Sequence, residues 1–190
     1  MGIKEWFAKK YKSDVGSVGK MTRQIGYIES KNVPTAIQKS NVYDDQGGVI
    51  GSKEGPGRGL YQFETSEGGG SGAFGTALNR SESLYKKMGQ EVPSWLSSAR
   101  EHGDASKLKP WQQEEILLGD FAMKSGSNEL ISEALSTGSA KNLWLKKHWA
   151  GAKEGTPDYL KKSSQWDKGM KTYGTDIFMA GAKKAEGAVI

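Results

Sequence analysis

Apolar side chains recur every three or four residues along most of this chain, and that spacing constrains its fold more than any other feature. Between residues 17 and 30, for example, Val18, Met21 and Ile25 fall on one side of a helix. The same spacing predicts helices near residues 3–11, 75–88, 94–101, 110–125, 128–136, 140–149 and 157–173. With 190 residues the chain can bury a core of its own. It is therefore predicted to form a mostly α fold, a helical bundle.

One stretch in the first third departs from the helical spacing. Two β-prone pairs, Val42-Tyr43 and Val49-Ile50, flank the turn-forming string Asp44-Asp45-Gln46-Gly47-Gly48. Two short apolar pairs around such a turn are typical of a hairpin. The predicted fold class is therefore mostly α, in the α+β sense, with a small β-hairpin near residues 41–51.

The residue types that are missing exclude several kinds of chemistry. The chain has no cysteine, which rules out thiol nucleophiles and thiolate metal sites, and its two histidines are too few for a histidine-rich metal centre. No metal or other cofactor is expected. No apolar run approaches the roughly 20 residues that cross a bilayer. Residues 1–6 also lack the apolar core of a secretory signal, so we expect a soluble chain with no membrane span and no signal peptide.

The second predicted helix ends in Ile28-Glu29-Ser30, where an acid meets an apolar face. Glu29 lies at the edge of that face and at the negative end of the helix dipole. Both surroundings disfavour a charged carboxylate. A protonated glutamic acid is the proton donor that glycosidic cleavage requires. Glu29 is therefore a candidate catalytic acid, although a solvated glutamate at a helix end has the same local pattern.

A second motif, Gly57-Arg58-Gly59-Leu60-Tyr61-Gln62-Phe63, follows the predicted hairpin. Its glycines let the backbone approach a ligand closely, and Leu60 and Phe63 can anchor the turn in the core. The amide of Gln62 offers a donor and an acceptor group, which suit an amide-bearing sugar. The motif is also compatible with an ordinary glycine-rich turn.

Together, the Glu-Ser pair and the Gly-Leu-Tyr-Gln-Phe string resemble the lysozyme-like lytic transglycosylases of bacterial peptidoglycan, most closely over residues 17–63. The resemblance implies that Glu29 is both catalytic acid and base. The string Trp144-Leu145-Lys146-Lys147-His148-Trp149-Ala150-Gly151 is similar to a phage and bacterial variant of the segment that closes the far side of the family's groove. The substrate-binding residues implied in this way are Ser30, Gly59, Leu60, Tyr61, Gln62, His148, Trp149 and Tyr173.

Two features depart from the family's pattern. The stretch between Glu29 and Gln62 is longer than in most relatives, and the predicted hairpin would absorb the extra length. The family's late tyrosine has three candidates, Tyr85, Tyr159 and Tyr173. We assign Tyr173, whose helical stripe also fits plain core packing.

The resemblance implies an enzyme that cleaves the β-1,4 glycosidic bond between N-acetylmuramic acid and N-acetylglucosamine. A hydrolase would need a second carboxylate. Five acidic residues follow Glu29 without forming a recognisable second-acid motif: Asp44, Asp45, Glu54, Glu64 and Glu67. We therefore prefer non-hydrolytic transglycosylation with one glutamate, and a hydrolytic muramidase of the same fold is the alternative.

The predicted organisation is an N-terminal helical extension at residues 1–16, a lysozyme-like catalytic domain at 17–174 and a C-terminal helix or tail at 175–190. A chain without a signal needs a carrier to reach the wall, and a phage particle that holds it in the tail or core is a natural one. Its expected partners are peptidoglycan glycan strands and other phage virion proteins, and it would act in the bacterial periplasm or cell wall. A structural virion or ejection protein with secondary or lost lytic activity is a second alternative.

Positive charge is concentrated in the last fifty residues. Residues 141–190 contain ten lysines and five acidic residues, whereas basic and acidic residues balance in 1–140. Such a face suits a polyanionic partner, which could be a nucleic acid, an acidic wall polymer or a membrane surface, and is also typical of a plain solvated surface. The lysines nearest to aromatic residues that could stack bases, Trp149 and Tyr159, are Lys146, Lys147, Lys161 and Lys162. Without a binding motif, nucleic-acid binding is the weaker hypothesis.

Overall fold

The computed structural model of the chain describes residues 1–65, 73–148 and 153–186, with their side chains except at Ser40 and beyond residue 174. The α-helices are α1 (Ile3–Lys10), α2 (Val15–Ser30), α3 (Ala73–Lys87), α4 (Ser94–His102), α5 (Pro110–Met123), α6 (Asn128–Thr137), α7 (Lys141–Leu143) and α8 (Pro157–Glu186). A 3-10 turn covers Ala105–Lys107, and α7 continues as a π-helical turn, Trp144–His148. The predicted mostly α fold with a small hairpin is confirmed.

The sheet is antiparallel, in the order β1 (Ile37–Tyr43), β2 (Val49–Arg58) and β3 (Phe63–Glu64). β1 and β2 form a hairpin that extends beyond the predicted residues 41–51, since Ile37 pairs with Arg58 at its base. Asp44 closes the turn by accepting hydrogen bonds from the backbone N–H groups of Gln46 (3.0 Å) and Gly48 (2.6 Å). All described side chains from residue 38 to residue 54 are exposed or half-buried, so neither face of the hairpin joins the core.

Helix α2 crosses the core and ends at the candidate acid. It begins after Asp14, whose carboxylate accepts from the N–H of Ser17 at 2.8 Å. It ends where Lys31 and Asn32 adopt left-handed backbone angles, with φ of 57° and 59°. The side chains that predicted its inner face are buried: Val18, Met21, Ile25 and Ile28.

Helix α1 shares this core. Ile3 and Phe7 are fully buried in the same apolar cluster as Ile25 and Leu117. At the other end, the backbone of α8 continues past residue 174 to Glu186 as one helix. The domain boundaries at residues 16 and 174 stay predictions. Among the described residues, no helix has the length and apolar character that crossing a membrane requires.

Candidate active site at the end of α2

Glu29 lies in the last turn of α2 with 9% of its side chain exposed. Its Oε1 accepts the indole N–H of Trp144 at an N–O distance of 2.5 Å. The same oxygen lies 3.7 Å from Nε2 of His148. A carboxyl group this shielded from water needs hydrogen-bond donors from the protein, and the indole of Trp144 in the π-helical turn supplies one.

His148 is held by contacts on several sides. Its Nε2 lies 2.8 Å from the carbonyl oxygen of Tyr61. Because a carbonyl oxygen only accepts, Nε2 carries the hydrogen. The rings of Phe63 and Phe121 contact the imidazole edge-on, at centroid distances of 6.1 and 6.4 Å. The hydrogen on the ring nitrogen nearest to Glu29 is therefore donated to Tyr61.

Trp144 is a residue of the candidate site that the sequence did not single out. It is fully buried, and its ring packs against Trp166 of α8 at a centroid distance of 5.4 Å. Trp144 and His148 stand four residues apart in the π-helical turn; Trp144 donates to Oε1 of Glu29, and Nε2 of His148 lies 3.7 Å from the same oxygen. Short π-helical segments occur often at functional sites.

Ser30 joins the two sequence motifs. Its Oγ lies 2.9 Å from the carbonyl oxygen of Leu60 and 3.1 Å from that of Gly26, and it accepts from the N–H of Val33 at 3.2 Å. One hydroxyl thus connects the last turn of α2 with the Gly57–Phe63 turn. In this structure Ser30 is a positioning residue for the neighbouring Glu29.

The turn after β2 depends on Gly59 and on a buried glutamine of α5. Gly59 has a φ of 76°, and a Cβ there would lie 2.3 Å from Oε1 of Gln113 and 3.3 Å from the backbone of Ala105. Gln113 is fully buried and accepts the N–H of Leu60 at 2.6 Å. It donates to the carbonyl oxygens of Leu108 (2.9 Å) and Pro34 (3.0 Å). A glutamine on the apolar face of a helix was the available sequence signal for this role.

The side chains of the turn mainly hold the turn itself. Leu60 and Tyr61 are 8% and 3% exposed, and burial raises the pKa of the Tyr61 hydroxyl. The amide nitrogen of Gln62 donates to the carbonyl oxygen of Gly59 at 2.8 Å. What this turn presents to His148 is the Tyr61 carbonyl rather than its ring.

Two further residues that the sequence singled out, Tyr173 and Lys162, lie on α8. The ring of Tyr173 is half-buried and packs on Tyr27 at a centroid distance of 5.0 Å. Trp149 lies outside the described residues. Lys162, which the sequence grouped with a nucleic-acid surface, lies near Glu29. Burial lowers the pKa of Lys162, and the negative charge of Glu29 acts in the opposite direction.

The other acids considered as second carboxylates have different surroundings. Asp44 closes the hairpin turn, and Glu54 lies 3.3 Å from the guanidinium of Arg58. Asp45 and Glu64 are exposed, and Glu67 lies outside the described residues. Within the described part of the chain, no cluster of three acidic or histidine side chains could hold a metal ion.

Comparisons with known proteins found no matching family model, no matching curated protein and no matching solved structure. A functional assignment therefore depends on the residues around Glu29. They comprise one shielded carboxyl group that accepts the indole N–H of Trp144, with the imidazole of His148 at 3.7 Å. A carboxyl group in such surroundings can give a proton to a bound substrate and take one back.

Proposed function

We propose that this chain is a peptidoglycan lytic transglycosylase of the lysozyme-like class. It cleaves the β-1,4 bond between N-acetylmuramic acid and N-acetylglucosamine, with Glu29 as acid and base. The observation that carries the proposal is the shielded Glu29 carboxyl group, bonded to Trp144 where the α2 end meets the Gly57–Phe63 turn. These are the two motifs on which the family resemblance rests.

The contacts of Glu29 indicate which of its two oxygens carries the catalytic proton. The indole N–H of Trp144 points at Oε1. A proton on Oε1 would face this donor, so the acid form carries its proton on Oε2. Oε2 gives that proton to the glycosidic oxygen as the bond from that oxygen to the muramyl C1 breaks.

The second half of the reaction returns the proton. The Glu29 carboxylate takes the proton of the muramyl C6 hydroxyl while O6 bonds to C1 and closes a 1,6-anhydro ring. The products are a free hydroxyl on one sugar and an anhydro end on the other. Glu29 regains its starting state, and no water is consumed.

The surroundings of the other carboxylates support this chemistry over hydrolysis. An inverting hydrolase places a second carboxylate roughly 6.5–9.5 Å from the acid to activate water. Asp44 and Glu54 instead have partners within the hairpin. A hydrolytic muramidase would use the same Glu29, and its products would differ by one added water.

The cellular setting is part of the proposal. A phage particle that carries the enzyme to the periplasm or wall fits a lytic role, with glycan strands and other virion proteins as its partners. Stoichiometric amounts of the chain in purified particles would support this setting. Its absence from them would contradict it without affecting the chemistry at Glu29.

The proposal is tested by the release of soluble fragments from dye-labelled bacterial walls. Glu29→Gln keeps the shape and can still accept from Trp144, but it cannot give or take the catalytic proton. We expect at least about a hundredfold loss of activity with an unchanged thermal midpoint. Glu101→Gln, at an exposed position on α4, is the matched control and should keep full activity. Equal activity of the two variants would refute the role of Glu29.

A further inference from the structure

A cavity of about 540 Å³ lies where the end of α2 meets α8. Three of its lining residues are lysines and none is acidic, and the others include two hydroxyls and an amide. The lining residues are Ile28, Lys31, Lys161, Ser164, Gln165, Lys168, Gly169 and Thr172. Its volume lies within the range of small-ligand sites.

The α8 side of the cavity follows from helical spacing. Lys161, Gln165, Lys168 and Thr172 are three or four residues apart and share one face of the helix. Gly169 brings this face close to α2, because a Cβ there would lie 2.3 Å from Cδ1 of Ile28.

The charged residues that line the cavity are all positive. On α8, Asp167 is paired with Lys141 of α7 at 2.8 Å and does not line the cavity. The ammonium of Lys31 lies 4.1 Å from the ring centroid of Tyr27, a contact that leaves its charge uncancelled. Three positive charges without a carboxylate among the lining residues favour an anionic ligand.

The cavity is next to the candidate active site. Ile28, which lines it, precedes Glu29 in α2, and Lys161 precedes Lys162, whose charge interacts with Glu29. A glycan strand that presents a muramyl sugar to Glu29 also presents the peptide stem on that sugar. Stems branch sideways from the lactyl group and carry free carboxylates.

We propose that this cavity is a subsite for the carboxylates of peptidoglycan stem peptides. Lys161 and Lys168 supply the charge from α8, Lys31 supplies it from the end of α2, and Ser164 and the amide nitrogen of Gln165 supply hydrogen bonds. This inference rests on the proposed function. It adds that the enzyme recognises the peptide stem as well as the sugars of the glycan strand.

The first test compares two substrates. Purified strands with intact stems are compared with the same strands after their stem carboxylates have been amidated. The variant Lys161→Gln/Lys168→Gln should raise KM about tenfold on strands with free stem carboxylates and leave KM on the amidated strands unchanged. The control Lys9→Gln/Lys107→Gln removes the same charge at exposed positions outside the cavity lining and should change neither. An equal change on both substrates, or no change on either, would overturn the subsite.

The second test separates this inference from the proposed function. Calorimetry with Glu29→Gln protein measures binding of a free stem tetrapeptide and of the same peptide with amidated carboxylates. We expect binding of the acidic peptide only, and its loss when Lys161→Gln/Lys168→Gln is added.

Stem binding without wall cleavage by the wild type would support the subsite and contradict the enzyme. Wall cleavage without stem binding would support the enzyme and contradict the subsite. Single-stranded DNA that binds through these lysines while the stem does not would also overturn the subsite.

Discussion

The end of α2 and the β1–β2 hairpin adjoin in sequence but differ in how they are held. Ile28 is 8% exposed and Glu29 9%, and the turn that follows the hairpin buries Leu60 and Tyr61. Between them, the hairpin exposes its apolar tip, with Val49 at 59% and Ile50 at 66%. The site is thus fixed by core contacts on both sides of a long exposed insertion. Changes to those contacts should cost far more than changes to the hairpin.

The largest expected effect is at Trp144. Trp144→Ala empties a fully buried site and removes a donor to Glu29, so the free energy of unfolding should fall by about 3–5 kcal/mol. Urea denaturation measures this. Trp111→Ala, at a position 48% exposed, is the control and should cost less than half as much. Similar losses for both would show that Trp144 is not a core anchor.

Two glycines sharpen the comparison because both have positive φ. Gly59→Ala meets Gln113 and the backbone of Ala105, so it should lower the free energy of unfolding by about 2–4 kcal/mol. Gly47→Ala at the hairpin tip meets nothing within 4 Å and should cost only about 1 kcal/mol of backbone strain. Denaturation of the two variants side by side checks the difference. A larger fall in the free energy of unfolding for Gly47→Ala than for Gly59→Ala would show that the hairpin tip tolerates a side chain less well than the turn after β2.

The half-buried Glu115 predicts a pH dependence of the free energy of unfolding. Its carboxylate accepts from the N–H of Ile3 at 3.2 Å and from the hydroxyl of Tyr85, and burial raises its pKa. The folded state therefore binds this proton more tightly than the unfolded chain does. Its contribution is present at low pH and is lost as pH rises from the ordinary glutamate range through the raised pKa.

Glu115→Gln removes that titration. The free energy of unfolding of the variant should fall less between pH 4 and 7 than that of the wild type, an interval of roughly the titration range involved. Thermal or urea denaturation across that range measures the slopes. Glu101→Gln, at an exposed position, should keep the wild-type slope. A steeper fall in Glu115→Gln would contradict the sign.

The smallest effect is expected at the hairpin tip. Val49→Ser/Ile50→Ser should change the free energy of unfolding by less than about 0.5 kcal/mol, because both side chains are already mostly in water. Denaturation of the double variant measures this. A loss above about 2 kcal/mol would mean that the hairpin packs on the core and that the contrast with α2 is false.

Local spacing predicted the helices well and predicted the sheet only in part. α6 was expected at residues 128–136 and spans Asn128–Thr137. The short β3 has no pattern of its own, because its two residues form a strand only by pairing with Gly57 and Arg58. The sequence suggested a break after residue 173, yet α8 continues through Gly174. A glycine weakens a helix without obliging it to end.

The site was predictable where its signal was local. Glu29 and the Gly57–Phe63 turn each have a local pattern, and Ser30 does bring them together. The Trp144 contact joins residues 115 positions apart, and the link from Gln113 to Leu60 joins residues 53 apart. Such pairings depend on how the helices pack, which local spacing does not encode.

The most direct test of the central claim is the mass of the fragments that the purified protein releases from peptidoglycan. The account predicts muropeptides with 1,6-anhydro ends, lighter by one water than hydrolysis products, from the wild type and none from Glu29→Gln. Reducing-end fragments would assign Glu29 to a hydrolase instead. Intact walls with the wild type, or the same anhydro fragments from Glu29→Gln, would contradict the account.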